Sequence, residues 1–338
     1  MNNRNRGVVT WLIAVTLIVV FIIVIAQWRE NSVRRFPRIE FGELGGPIGK
    51  LTFVQRATPQ EIPSTVRVYK VKPLASKKNA LLRLLRALPI VASPETDGSL
   101  RQLERAPESL AHEEKSLSAS IGGWTVEVWS GGQFTIYNDE LLNRPYDFEN
   151  PPAAPTPEEA HQTADAFLAS IGPLPKDVRF AEVGPGDTLI RGLGNKPGDI
   201  MVKSLLVSYS AAIDGIPVYG SVSVRVGAGP AVVSINNRLR QIVPDSMVEI
   251  LSPQEAFDKL CAGEGHMSDG PSGSATGNVT SIKLVYWQGA TARDLSYIMP
   301  VYIIEGNAEA PGKKTVPWKA YVEAVRPEFL IERSLPVE

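Results

Sequence analysis

The sequence predicts an α+β protein: an N-terminal membrane-spanning helix followed by two or three modules, each a helix packed on antiparallel strands. Three observations predict it. Residues 7–28, "GVVTWLIAVTLIVVFIIVIAQW", carry no charge. A capped helix start occurs at Thr156–Glu159 and again about 95 residues later at Ser252–Glu255. After each come stretches alternating apolar and polar residues, the period of half-buried strands. Helix then strands, repeated, is an α+β pattern.

The elements follow in order. Residues 1–6 form a short polar tail. The 7–28 run is long enough to cross a ~30 Å hydrocarbon core as a helix, and Trp11 and Trp28 stand near its ends, where indole rings favour the interface. A cleaved signal peptide, with Val24-Ile25-Ala26 as cleavage site, is the rival reading. The apolar run exceeds the usual ~7–15 residues of a signal core, which favours an uncleaved anchor in the lipid bilayer. Arg4 and Arg6 flank one side and Arg29, Arg34, Arg35 and Arg38 the other, so arginine counting leans towards a cytoplasmic C-terminus.

Residues 29–65 read as a juxtamembrane spacer broken by Gly45-Gly46-Pro47 and Pro59. A divergent α+β module, with its strand first, is expected over 66–142. "VRVYKVKP" (66–73) alternates as a strand. In "SKKNALLRLLRALPI" (76–90), Leu81, Leu84, Leu85 and Leu88 recur at helical spacing. A polar segment, 92–119, precedes two strands joined through Ser130-Gly131-Gly132. The Pro-rich stretch 143–155 is a stiff linker.

The module over 156–250 opens with Thr156 as cap, Pro157 in the first turn and Glu159 completing a capping box. Ala160, Ala164, Phe167, Leu168 and Ile171 form its buried stripe, and Gly172 ends it. The module over 251–338 repeats the signal with Ser252, Pro253 and Glu255. Strands are expected at 177–183, 199–213, 281–288, 294–306 and 318–325.

Between them lies a hairpin, "YSAAIDGIPVYGSVSVRVGAGPAVVSINNRLRQI" (209–242). Asp214-Gly215 is a tight turn. Pro217 lacks an amide hydrogen and marks a strand start or an exposed edge. Gly220 permits a bulge. Alternation places Val218, Gly220, Val222, Val224 and Val226 on one face and Tyr219, Ser221, Ser223 and Arg225 on the other.

Composition narrows the function classes. The chain has 338 residues, enough for two or three domains. Lys+Arg 35 against Asp+Glu 36 leaves a formal charge of -1, which gives no footing for a nucleic-acid partner. Gly 28 and Pro 27 together exceed their usual share of roughly 12 %, as turn-rich β structure requires. Cys261 is the single cysteine, read as a small buried residue in a helix; it excludes disulfides within the chain and cysteine-based metal cages.

His112, His161 and His266 stand far apart, without metal-ligand spacing. "GPSGSATG" (270–277) does not match G-x-S-x-G, and "EVGPGD" (182–187) and "RGLGNKPGD" (191–199) match no phosphate or dinucleotide loop. No H-E-x-x-H occurs. No catalytic site, cofactor site or metal site is therefore expected, and the chain reads as a non-enzyme.

Two passages carry a resemblance. "DGIPVYGSVSVRV…AVVSINN" resembles the "GIPVFG" hairpin of the fungalysin/thermolysin pro-region family, although Ala211 stands where that family usually has Gln. "SPQEAFDKL", "MPVYIIEG" and "WKAYVEAV" resemble the PepSY (peptidase propeptide and YpeB) module. A membrane helix ahead of such modules is similar to regulatory membrane proteins of Gram-positive bacteria of the YycH/YycI type. The resemblance covers roughly residues 156–326. It implies PepSY-like modules in an extracytoplasmic, single-pass protein whose sheets bind a protein partner, a protease or a sensor-kinase ectodomain. The residues expected to meet that partner are Asp214, Gly215, Ile216, Pro217, Val218, Tyr219 and Gly220. An envelope hydrolase using unrecognised carboxylates and a purely structural envelope component remain alternatives.

Overall fold

The computed structural model describes residues 34–331 other than 40, 42–45, 48–50, 58–60, 91–92, 107–114, 145–146, 148–149, 151, 173–174, 176, 192–198, 269–274, 290–294 and 310–313. Near its start are β1 (Gly46–Pro47), β2 (Leu51–Gln55) and β3 (Thr65–Val71). Two helices follow, α1 (Lys77–Ala87) and α2 (Pro94–Arg105). Ser76 caps α1, which buries Leu81, Leu82, Leu84 and Leu85. Ser93 and Thr96 cap each other reciprocally at the start of α2. Next come β4 (Ser116–Ile121), β5 (Trp124–Trp129), β6 (Phe134–Asn138) and the single turn α3 (Asp139–Leu142).

Helix α4 (Pro157–Ile171) starts at the expected capping box and buries Ala160, Ala164, Leu168 and Ile171. Its strands are β7 (Arg179–Pro185), β8 (Thr188–Arg191), β9 (Asp199–Val202), β10 (Ser204–Ile213), β11 (Ile216–Gly227), β12 (Ala231–Asn237) and β13 (Ile242–Glu249). Helix α5 (Pro253–Cys261) repeats the box with Ser252 and Glu255. The chain then forms β14 (His266–Met267), β15 (Ala275–Trp287), β16 (Tyr297–Glu309) and β17 (Val316–Glu323).

Pairing overturns the expected fold class. In place of separate PepSY-like modules, each a helix on its own antiparallel sheet, fifteen of the described strands join in one mixed sheet. Strands β7-β10-β11-β12-β6-β5-β4 form an antiparallel half, so residues 134–137 share a ladder with 234–237. Strands β15-β16-β17 form a second half, with β2 added parallel to β15. The halves meet where β11 pairs parallel with β15, Val218 opposite Tyr286 and Tyr219 opposite Trp287. Strand β3 pairs with β13 and with the start of β16. The physical reason is that a short sheet leaves unpaired N–H and C=O groups along its edges, and another strand of the same chain satisfies them.

The expected membrane anchor is also corrected. No helix among the described residues is long and apolar enough to cross a membrane. The 7–28 segment lies outside the described residues. The expected bilayer contact and single-pass, extracytoplasmic location therefore have no support among the described residues.

Burial follows the two halves. Helices α1 and α4 cover one face of the antiparallel half, closing a core around Leu85, Ile136, Ala164, Val224 and Ile235. Helix α5 and the side chains of Phe36, Ile39 and Phe41 close a second core around Leu260, Val301, Tyr302, Ile304 and Tyr321. A small third cluster, Tyr69, Val71, Ala211, Val218, Tyr286 and Ile298, fills the joint.

Candidate functional site

The hairpin singled out in the sequence is where the halves meet. Strands β10 and β11 are joined by the two-residue turn Asp214-Gly215, with Ile213 opposite Ile216. Both turn residues have positive φ, 49° and 78°, as a type I′ turn demands. Tyr69 donates its hydroxyl hydrogen to Asp214 Oδ2. Burial, reinforced by that carboxylate, pushes the Tyr69 phenol up to about 12.

The other expected contact residues have internal roles of their own. Gly215 faces open space. Ile216 packs partly on the second and third cores. Pro217 lies opposite Ala212 and is exposed, while Val218 is buried. Tyr219 stacks on Trp287 at 5.2 Å and 14°, and its hydroxyl lies 3.0 Å from that of Tyr321. The Lys319 ammonium stands 5.6 Å from the Tyr219 ring centre.

At Gly220 the ladder breaks. Tyr209 pairs with Val222 and Ala211 with Val218, so Ser210 faces three residues, Tyr219, Gly220 and Ser221. Gly220 takes φ 71°, which a side chain would strain. On the other side of β10 a second bulge sets Ala181 of β7 outside the register, between Phe180 (opposite Tyr209) and Glu182 (opposite Ser208). Two bulges flanking one stretch of strand re-aim the side chains around it.

The result is a cleft of about 310 Å³ on the sheet face opposite α4. Its polar walls are Ser208, Ser210, Ser221, Ser223, Asn236 and Arg238; Ala181, Gly220 and parts of Tyr209, Val218 and Val222 complete it. Ser221 is occupied, accepting from Ala211 N–H at 3.0 Å. Among the described residues, the hydroxyls of Ser208, Ser210 and Ser223 and the guanidinium of Arg238 have no hydrogen-bond or ion-pair partner in the chain. A β-carbon at Gly220 would lie 3.1 Å from Arg238 Nη1, so the guanidinium rests on the bare glycine.

On the opposite face, His161 stacks on Phe180 at 3.8 Å and approaches Asp165 at 3.3 Å. Tyr209 donates to Asp165 Oδ1 at 2.6 Å, and burial, then Asp165, holds its phenol well above the usual tyrosine range. His266 packs on Phe41, with ring centres 4.9 Å apart. His112 lies outside the described residues. Cys261, expected inside, is exposed, because it ends α5 beyond the buried Leu260. A second concavity, about 230 Å³, lies at the far end of the same hairpin, lined by Leu141, Leu142, Arg144, Lys203 and Val233 among others.

The sequence reading brought Val218 and Gly220 to the cleft and missed Ser208, Ser210, Ser223, Asn236 and Arg238. Their signal was the polar half of each strand's alternation, which any solvated sheet face shows equally. No family model matches the chain, and no curated protein matches it. Among solved structures it is similar to an uncharacterized protein from Eubacterium rectale, at 12 % identity and a TM-score of 0.34, over 82 % of this chain and 89 % of that one.

Proposed function

We propose that this chain acts by binding another protein and performs no reaction, taking an extended segment of the partner along the outer edge of β7 with side chains entering the cleft. The observation that carries this reading is the pair of bulges beside a free strand edge. Among the described residues β7 pairs only with β10. Arg179, Phe180, Ala181 and Glu182 are exposed along it, and Phe180 is held by His161. An unpaired edge supplies main-chain hydrogen bonds to an incoming strand, and an adjacent pocket supplies selectivity.

The groups with strongly shifted titration, Tyr69, Tyr209, Tyr286 and Tyr302, are buried phenols kept neutral. Two of them donate to backbone carbonyls of Arg67 and Leu251. Such groups support packing. A protease is the first partner class to assay and a sensor kinase the second, since the pro-region resemblance implies both.

Panning random peptides against the full chain tests the reading. Enriched peptides should bind Ser210→Trp, which fills the cleft from an exposed position, at least about tenfold more weakly. Leu142→Trp, at the second concavity, should leave them unaffected. Peptides that ignore Ser210→Trp, or a library from which none enriches, would overturn it.

A further inference from the structure

We infer that the cleft reads a carboxylate, so that the partner segment presents an acidic side chain to Arg238. This rests on the cleft being the partner site and adds the chemistry that it selects. The charges around it make the case. Of the arginines on β11 and just after β12, Arg225 is paired with Asp187 at 3.2 Å, and Arg240 is buried and donates to the Gln288 carbonyl. Asp187 is further held by Ser204.

None of the described wall residues is acidic. Glu182, the nearest acid along β7, is exposed and makes no ion pair with Arg238. Among the described residues, Arg238 is thus a cation placed inside a cleft without an anion of its own.

Its placement is fixed by the backbone. Arg238 N–H donates to the Ser221 carbonyl at 2.9 Å, tying the start of its side chain to the bulge. The guanidinium then lies over Gly220, where a β-carbon would press on it at 3.1 Å and shift it by a few tenths of an ångström. A seated guanidinium loses less freedom on binding than one on a loose stem, and its planar fork matches both oxygens of a carboxylate. The hydroxyls of Ser208, Ser210 and Ser223 line the same cleft and can donate to a bound oxygen.

The test uses two small probes on the full chain followed by NMR: N-acetylglutamate N-methylamide and its neutral glutamine counterpart. The acid should shift the Gly220 amide and the Arg238 Nε–H resonances, and the neutral probe should not. Arg238→Gln should abolish the response, and Arg238→Lys, which keeps the charge and loses the fork, should weaken it at least about fivefold. Gly220→Ala should weaken it too, and thermal unfolding of each variant separates a displaced guanidinium from a damaged fold. Equal shifts from both probes, no shift, or a response that survives Arg238→Gln would overturn the inference. Enriched peptides that need an open Ser210 position and yet ignore Arg238→Gln would sink the carboxylate alone. Peptides indifferent to Ser210→Trp would remove the binding reading beneath it.

Discussion

Gly220 combines two jobs that the sequence shows only as a single missing side chain. It takes the positive φ that a three-against-one bulge needs, and its bare Cα seats the Arg238 guanidinium. The first was legible as a glycine in a strand pattern; the second was not, because Arg238 reaches Gly220 only after β12 folds back on β11. Tyr69 and Asp214 give a residue-scale prediction. The Tyr69 phenol is pushed up to about 12, first by burial and then by Asp214. A phenol harder to ionise in the folded chain contributes stability that is intact below pH ~10 and is lost as pH rises from there through the folded value. Thermal unfolding followed from pH 7 to 11 should therefore decline on the alkaline side. Tyr69→Phe should lose about 1 kcal/mol near neutrality through the missing hydrogen bond and should flatten that decline.

Among the elements, α4 and α5 were the most legible because their signals are local. Each cap joins residues three apart in sequence, Thr156 with Glu159 and Ser252 with Glu255. Helix α2 was missed inside a segment read as polar, since "PETDGSLRQLER" contains Gly98 and buries no residue fully; Leu100 and Leu103 only rest against the first core. Strand β4 was missed for a related reason: "SLSASI" is built of small residues, and its pairing with β5 supplies the order that its side chains do not. The α5 cap carries a prediction at this scale. Ser252→Ala should cost about 1 kcal/mol by urea unfolding. Glu255 is held below the ordinary carboxylate range, chiefly by the Ser252 backbone N–H and hydroxyl, then by Arg326. Its contribution is present above the ordinary carboxylate range and disappears as pH falls from there through the lowered folded value. Glu255→Gln should therefore reduce the loss of stability on acidification, read as a shallower fall in Tm below pH 5.

Across the whole molecule the decisive feature is the β11–β15 seam, which turns two helix-covered sheets into one. Tyr286 is fully buried there, against the edge of the Tyr69 ring at 5.5 Å, with its hydroxyl on the Arg67 carbonyl at 2.6 Å. Tyr286→Ala should cost roughly 3–5 kcal/mol, as large aromatic truncations do in packed cores. If the seam couples the halves, the variant should unfold in two steps where the parent chain unfolds in one, seen as separate transitions by tryptophan fluorescence and by hydrogen exchange. A single coincident transition in the variant would show that each half depends on the other by a different route. The expected modules contained both helices with their following strands, but the sheet they form ignores the module boundaries.

Taken by itself, the sequence determined where α4 and α5 start, where the Asp214-Gly215 turn falls and that Val222, Val224 and Val226 of β11 share a core-facing side. These are effects between neighbours a few residues apart, set by capping oxygens, φ preference and the alternation of the pleat. Only the tertiary structure decided that Val218 and Tyr219 lie against Tyr286 and Trp287, that two bulges open a cleft beside Ser210, and that Arg238 stands in it with no acid among the described lining residues. Strand edges carry the same N–H and C=O groups whatever their side chains, so the choice of neighbour is made by how the whole chain packs.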